Sequence, residues 1–223
     1  MSICRSFAIA VLSVFMLSGE AAWAQVEHNS PASTILVIGD SLSAEYGLRR
    51  NSGWVALIEK RLHEHKQPYQ VQNSSISGDT TSGGLSRLPE ALQDYQPDIV
   101  IIELGANDAL RGLSLAMTEK NLSEMITLAQ QADASVLLLG MQIPPNYGRA
   151  YTRKFQDLFP LLAERHNTQL TPFLLEGIAA DRDRFQPDGI HPNEAAQEVL
   201  ADNVWKQLEP MLQEHGSAAV TAG

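Results

Sequence analysis

Five short apolar runs recur along the chain: TILVIG at 34–39, YQVQNS at 69–74, DIVIIELG at 98–105, SVLLLG at 135–140 and TQLTPFLL at 168–175. Between and after them lie longer stretches with apolar residues at helical spacing, over 53–65, 84–95, 118–132, 149–167 and 193–212. A strand that is apolar on both faces has to be covered on both faces, and helices alternating with such strands supply the cover. The pattern predicts an α/β fold, a three-layer α/β/α sandwich around a parallel five-stranded sheet, over 34–212. In the last helix Ala196, Leu200 and Val204 repeat at helical spacing, and Asn193 is placed to cap its start. A length of 223 residues, 44% of them hydrophobic, suits one such domain, and the tail 213–223 is expected to fray.

The residues before this domain have a different character. Arg5, an apolar run from Phe7 to Leu17 and the triplet Ala22-Trp23-Ala24 read as a secretory leader, 1–24, followed by a flexible polar stretch over 25–33. The run is shorter than the roughly 20 residues needed to span a bilayer. The expectation is therefore a periplasmic or secreted protein without stable membrane insertion. Cys4, the single cysteine, falls in the leader, which leaves the mature chain with no thiol, disulfide or cysteine metal site. The formal charge is −10, and losing Arg5 and Glu20 with the leader does not change it. A chain this acidic, with no long basic run, is expected to repel nucleic acid and anionic membrane surfaces.

In parallel sheets of this kind, ligands bind just beyond the carboxyl ends of the strands. There the five runs deliver, in order, Ser41, Gly78 in NSSISGDT, Asn107 and Asp108 in ELGANDA, the loop IPPNYG, and Asp188 with His191 in FQPDGIHPN. Each has an ordinary reading alone: a serine or asparagine after a strand caps a helix, and a histidine before proline is a loop residue. Their convergence on one rim favours chemistry. A serine hydroxyl becomes a nucleophile when an imidazole takes its proton, and the imidazole must be held in one tautomer. Asp188 lies three residues before His191 in a turn rich in Pro and Gly, so its carboxylate can reach Nδ1 while Nε2 faces Ser41. Acyl transfer also needs donors aimed at the oxyanion. Three are available: the Ser41 N–H at an expected helix N-terminus, the Gly78 N–H and the Asn107 amide. The G-x-S-x-G elbow of α/β-hydrolases is absent, because Ser43 stands where its second glycine would be.

The blocks GDSLS, ISGDT, GAND and DGIHPN resemble those of the SGNH, or GDSL, hydrolases, whose markers are Ser, Gly, Asn and His. SISGDTTSGGLSRLP, ELGANDALRG and PPNYGRAY extend the likeness to the periplasmic branch of thioesterases, lysophospholipases and arylesterases, from Thr34 to about Leu212. The resemblance implies a flavodoxin-like fold and hydrolysis of carboxylic esters, thioesters or lysophospholipids; a monomer without cofactor or metal is expected. It makes Ser41 the nucleophile, His191 the general base and acid, and Asp188 its orienter. Ser41, Gly78 and Asn107 then form the oxyanion hole. The substrate is bordered by Leu42, Glu45 and Asp108 beside the markers and by Ile143, Pro144, Pro145 and Tyr147 in the fourth-strand loop.

Several positions keep two readings. Glu45 stands where close relatives often carry a small residue; facing the cleft it disfavours anionic substrates, facing solvent it does nothing. Ala106 replaces a frequent glycine and narrows the pocket floor by a methyl. Asp40 and Asp108 are catalytic acids or, as their places suggest more strongly, carboxylates that bond loop amides. His63 and His65, two apart on a helix, point to different faces and read as solvated surface rather than metal ligands. Two other functions fit the same fold: a carbohydrate O-acetylesterase, which the apolar MQIPPNYG loop disfavours, and a non-catalytic binding domain, which the complete residue set disfavours. A mechanism that needs a neutral imidazole loses activity in acid.

Overall fold

The computed structural model describes residues 33–221, with side chains as far as His215. The secretory leader expected over 1–24 and most of the stretch after it lie outside the described residues. Strands β1 (Ser33–Gly39), β2 (Tyr69–Asn73), β3 (Ile99–Glu103), β4 (Ser135–Leu139) and β5 (Gln169–Thr171) form one parallel sheet in the order β2-β1-β3-β4-β5. The chain winds one way from β1 to β2 and the other way from β3 onward, so the switch point lies between the carboxyl ends of β1 and β3.

The central strands are apolar on both faces because both faces are covered. Ile35, Leu36, Ile38 and the whole of Ile99–Ile102 have essentially no exposed surface. Helices α1 (Trp54–Glu64) and α6 (Gln197–Thr221) pack together on one side of the sheet, and α2 (Thr81–Tyr95), α4 (Leu115–Gln131) and α5 (Arg149–His166) pack in sequence on the other. A short helix, α3 (Ala106–Leu110), intervenes between β3 and α4. The Cβ that an alanine at 84 would carry lies 2.3 Å from Leu104 Cδ1, so Gly84 is what lets α2 approach the sheet this closely.

Four local expectations are corrected. The fifth strand ends at Thr171 rather than Leu175, because Pro172 has no N–H to continue the ladder. Helix α2 starts at Thr81, three residues early, where the Thr80 side chain accepts from the Gly83 N–H. Asn193 does not cap the last helix: its side-chain amide donates to the carbonyls of Asp183 and Phe185, and a 3₁₀ turn over Glu194–Ala196 precedes α6. The backbone of α6 runs on to Thr221, past the expected end at Leu212, and His215 Nε2 lies 2.9 Å from Ser135 Oγ.

Candidate active site

The loops after β1, β3 and β5 bring Ser41, Asn107 and the Asp188–His191 turn to the sheet's carboxyl edge. His191 Nε2 lies 2.9 Å from Ser41 Oγ, and His191 Nδ1 lies 2.7 Å from Asp188 Oδ2. The other Asp188 oxygen accepts from the backbone N–H groups of Ile190 (2.9 Å) and His191 (3.0 Å), which fixes the carboxylate against its own turn. Burial opposes ionisation of Asp188, but those two N–H groups and the imidazole outweigh it and bring its carboxyl down to about 2.

The segment carrying this pair is a stapled hairpin. Phe185 and Pro192 form an antiparallel bridge, the Gln186 N–H donates to the His191 carbonyl at 2.7 Å, and Gly189 takes the left-handed φ of 67° at the tip. Gln186 also ties the hairpin to the first loop, its side-chain amide donating to the Tyr46 carbonyl at 2.8 Å. The Tyr46 ring lies 4.5 Å from the His191 ring, centroid to centroid.

Ser41 itself is not at the start of a regular helix, as the sequence suggested. It sits on a turn in which the Ala44 N–H bonds the Asp40 carbonyl, and α1 begins only at Trp54. A long helix dipole is thus not what favours an anion beside Ser41. Asp40 is buried, its Oδ1 accepting from the Leu42 N–H (3.0 Å) and its Oδ2 from Asn107 Nδ2 (2.8 Å). Behind it, Glu103 Oε2 accepts from the Asp40 N–H (3.2 Å) and from Ser43 Oγ (2.8 Å). Burial first, then the charge of Asp40, raises the Glu103 carboxyl well above the usual range. Asp40 is also raised by burial, which its hydrogen bonds and His191 partly offset. Gly78 has φ 78°, a conformation that favours glycine, and Arg111 Nη2 donates to its carbonyl at 2.9 Å.

A cavity of about 460 Å³ opens at Ser41 and His191. Leu42, Ala106, Leu110, Met141, Ile143, Pro144, Phe173, Leu175 and Phe185 are among its walls. Leu42, Ile143, Pro144 and Pro145 border the cavity, and Ala106 lies in its wall. Three expected substrate-binding residues stand elsewhere. The Glu45 carboxylate accepts the N–H groups of Asn51 (2.9 Å) and Gly53 (2.7 Å), closing the loop that leads into α1. Asp108 is buried, accepting from the Thr81 N–H and hydroxyl at 2.9 and 2.6 Å. Tyr147 is absent from the cavity wall and donates its hydroxyl to the Leu110 carbonyl.

Serine–histidine contact alone does not make such a site. Ser123 Oγ and His166 Nε2 are only 2.7 Å apart, but they join α4 to α5, and burial together with Arg165 lowers the His166 titration. Among the described residues no group of three or more His, Cys, Asp or Glu could hold a metal ion. His65 packs edge-on against Trp205. Reading the sequence for polar residues after strands missed Glu103 and Gln186. The signal for Glu103 was present, an acid closing the apolar run IVIIE; Gln186 had none.

Residues 37–199 match the family model described as GDSL-like lipase/acylhydrolase. The chain is similar to esterase TesA of Pseudomonas aeruginosa, 46% identical over 201 residues that cover 90% of this chain and all of that one. It is likewise similar to thioesterase 1/protease 1/lysophospholipase L1 of Escherichia coli, 41% identical over 81% of this chain and 86% of that protein. The fold superposes on a crystal structure of TesA with a TM-score of 0.78 at 49% identity, covering 80% of this chain and 99% of the other. With fold, site geometry and sequence in agreement along most of its length, the chain belongs to the GDSL-like lipase/acylhydrolase family.

Proposed function

We propose that the protein hydrolyses carboxylic esters, thioesters and lysophospholipids through an acyl-enzyme on Ser41. The observation that carries this reading is the continuous path from Asp188 Oδ2 to His191 to Ser41 Oγ, in steps of 2.7 and 2.9 Å, at the mouth of an apolar cavity. His191 Nε2 takes the hydroxyl proton as Ser41 Oγ bonds to the acyl carbon, and the carbonyl electron pair moves onto oxygen. The N–H groups of Ser41 and Gly78 and the Asn107 amide receive that oxyanion. The tetrahedral species collapses, the bond to the leaving oxygen or sulfur breaks, and the leaving group takes the proton from the imidazolium. Water, deprotonated by His191, then releases the acid and restores the serine. Asp188 remains ionised throughout and holds the imidazole in its tautomer.

The acyl chain occupies the cavity between Leu110, Met141, Ile143, Phe173 and Leu175, whose apolar walls suit it better than a sugar acetate. Relatives named esterase and thioesterase/lysophospholipase support the same substrate class. The leader-like residues 1–24 support export to the periplasm or beyond. Among the described residues no helix is long and apolar enough to cross a membrane.

The test is turnover of p-nitrophenyl butyrate, a long-chain acyl thioester and a lysophosphatidylcholine, with p-nitrophenyl acetate and an acetylated sugar for comparison, by the wild type and by Ser41→Ala. We expect turnover of the ester, with rates for longer acyl chains exceeding that for acetate, and its loss in the alanine variant. A wild type inactive on all three substrates would overturn the reading in favour of a binding domain, and a sharp preference for acetylated sugars would favour an O-acetylesterase.

A further inference from the structure

We infer that Glu103 is a positioning residue for ester hydrolysis, fixing from behind the turn that carries Ser41 and, through Asp40, the amide of Asn107. The inference rests on the role of Ser41 proposed above. Glu103 ends β3 directly beside Gly39, its register partner at the end of β1, and has no exposed surface. Its Oε2 holds Asp40 and Ser43, one residue before Ser41 and two after it, so the turn is gripped on both sides of the nucleophile. Asp40 passes the constraint on, to the Leu42 N–H by one oxygen and to Asn107 Nδ2 by the other. Ser43 is held a second time, its carbonyl accepting from Asn73 Nδ2 at 2.8 Å.

The same packing explains two letters of the GDSLS block. A Cβ at Gly39 would lie 2.6 Å from Ser43 Oγ and 2.9 Å from Glu103 Oε2, so glycine is required for serine and acid to meet. Ser43, the residue standing where an α/β-hydrolase elbow has glycine, is the turn's contact with Glu103.

Geometry also sets the protonation state in which Glu103 acts. The Asp40 carboxylate has two donors, the Leu42 N–H and Asn107 Nδ2. The nearby guanidinium, Arg87 of α2, is paired with Asp79 and donates to the carbonyls of Ser74 and Gly39. Among the described residues no cation pairs with Glu103, and its Oε1 is buried without a hydrogen-bond partner. A second charge there would be buried and uncompensated, so Asp40 carries the charge and Glu103 the proton. The neutral acid then presents one carbonyl oxygen to both donors, as a glutamine amide would.

Glu103→Gln, Glu103→Leu and Ser43→Ala are to be compared for kcat and KM on p-nitrophenyl butyrate, for the rate at which an alkylphosphonate ester labels Ser41, and for Tm. If Glu103 only fills space, a folded leucine variant retains its rate. If it positions the turn, kcat and labelling rate fall about tenfold or more in Glu103→Leu with KM within about twofold, and Glu103→Gln recovers most of both. Ser43→Ala, which removes one of the two contacts, shows a smaller loss in the same two quantities. The inference is overturned by a folded Glu103→Leu that is as fast as wild type, or by a Glu103→Gln as slow as the leucine variant. Should the leucine variant not fold, a Ser43→Ala with wild-type kcat and labelling rate overturns it. A wild type that turns over no ester overturns the functional reading itself, whereas an active wild type beside an equally active Glu103→Leu overturns this inference alone.

Discussion

Asp40, the residue before Ser41, accepts a hydrogen bond from the side-chain amide of Asn107 at 2.8 Å. One of the two amide hydrogens is therefore committed to Asp40, and that contact aims the other. Losing an oxyanion donor costs about 10²–10³ in kcat, so Asn107→Ala should lose on that scale. Asp40→Asn should lose less, about tenfold, because the donor remains but its aim is relaxed. If the aspartate acts through the amide, its substitution costs less in the Asn107→Ala background than in the wild type. A double-mutant cycle on kcat checks this, and strictly additive losses would refute the coupling.

Asp188 gives a pH prediction. Its carboxyl is held down to about 2, below the roughly 3.9 of an unfolded aspartate. The stability it contributes is therefore complete above about pH 4 and is lost as pH falls through the folded value. The difference in Tm between wild type and Asp188→Asn should shrink as pH falls from about 4 towards 2. In activity, Asp188→Asn should lower kcat by as much as about 10⁴, since an amide can hold the imidazole in the wrong tautomer. A Tm difference that stays constant down to pH 2 would count against the assignment of the shift to this turn.

The fold and the main residues were legible in the sequence because both leave local traces. Continuous apolar runs such as IVII are tolerated only in a strand covered on both sides, and a parallel sheet sends every strand's end to one rim. Ser41, Asn107 and His191 could then be placed together without knowing any distance. What could not be read was the direction of side chains in loops. Glu45 was open to cleft or solvent, and it does neither, because its φ of 58° turns the chain so that its carboxylate caps two backbone N–H groups. Asp108 is drawn inward by Thr81, some 27 residues away in sequence, a long-range pairing that no spacing rule reports. Glu103 was hidden for the opposite reason: an acid at the end of an apolar strand reads as the strand's polar boundary, and its partners come from another strand's loop.

Glu45 gives a prediction that separates structure from specificity. Its carboxylate satisfies two N–H groups at the entry to α1, so Glu45→Ala should destabilise the fold by about 1–3 kcal/mol. The ratio of kcat/KM for a neutral ester to that for a carboxylate-bearing ester should stay the same in Glu45→Gln. Chemical denaturation measures the first, and a paired substrate assay the second. A selective gain on the anionic ester would mean that the charge of Glu45 reaches the cleft.

The buried pair at Asp40 and Glu103 predicts the opposite pH trend from Asp188. Burial and the Asp40 charge hold the Glu103 proton in the folded state far above the pH at which an unfolded glutamate releases it, about 4.3. The folded chain thus binds a proton that the unfolded chain has given up. This contribution to stability is full below that pH and is lost progressively as pH rises towards the folded value. Glutamine has no proton to lose, so the Tm of Glu103→Gln relative to wild type should climb steadily from about pH 4 upward. Thermal unfolding of the two proteins across pH 4 to 9 measures the slope. A difference that is flat, or that falls with pH, would show that Glu103 is ionised in the folded protein and that its place behind Ser41 is held by a charge.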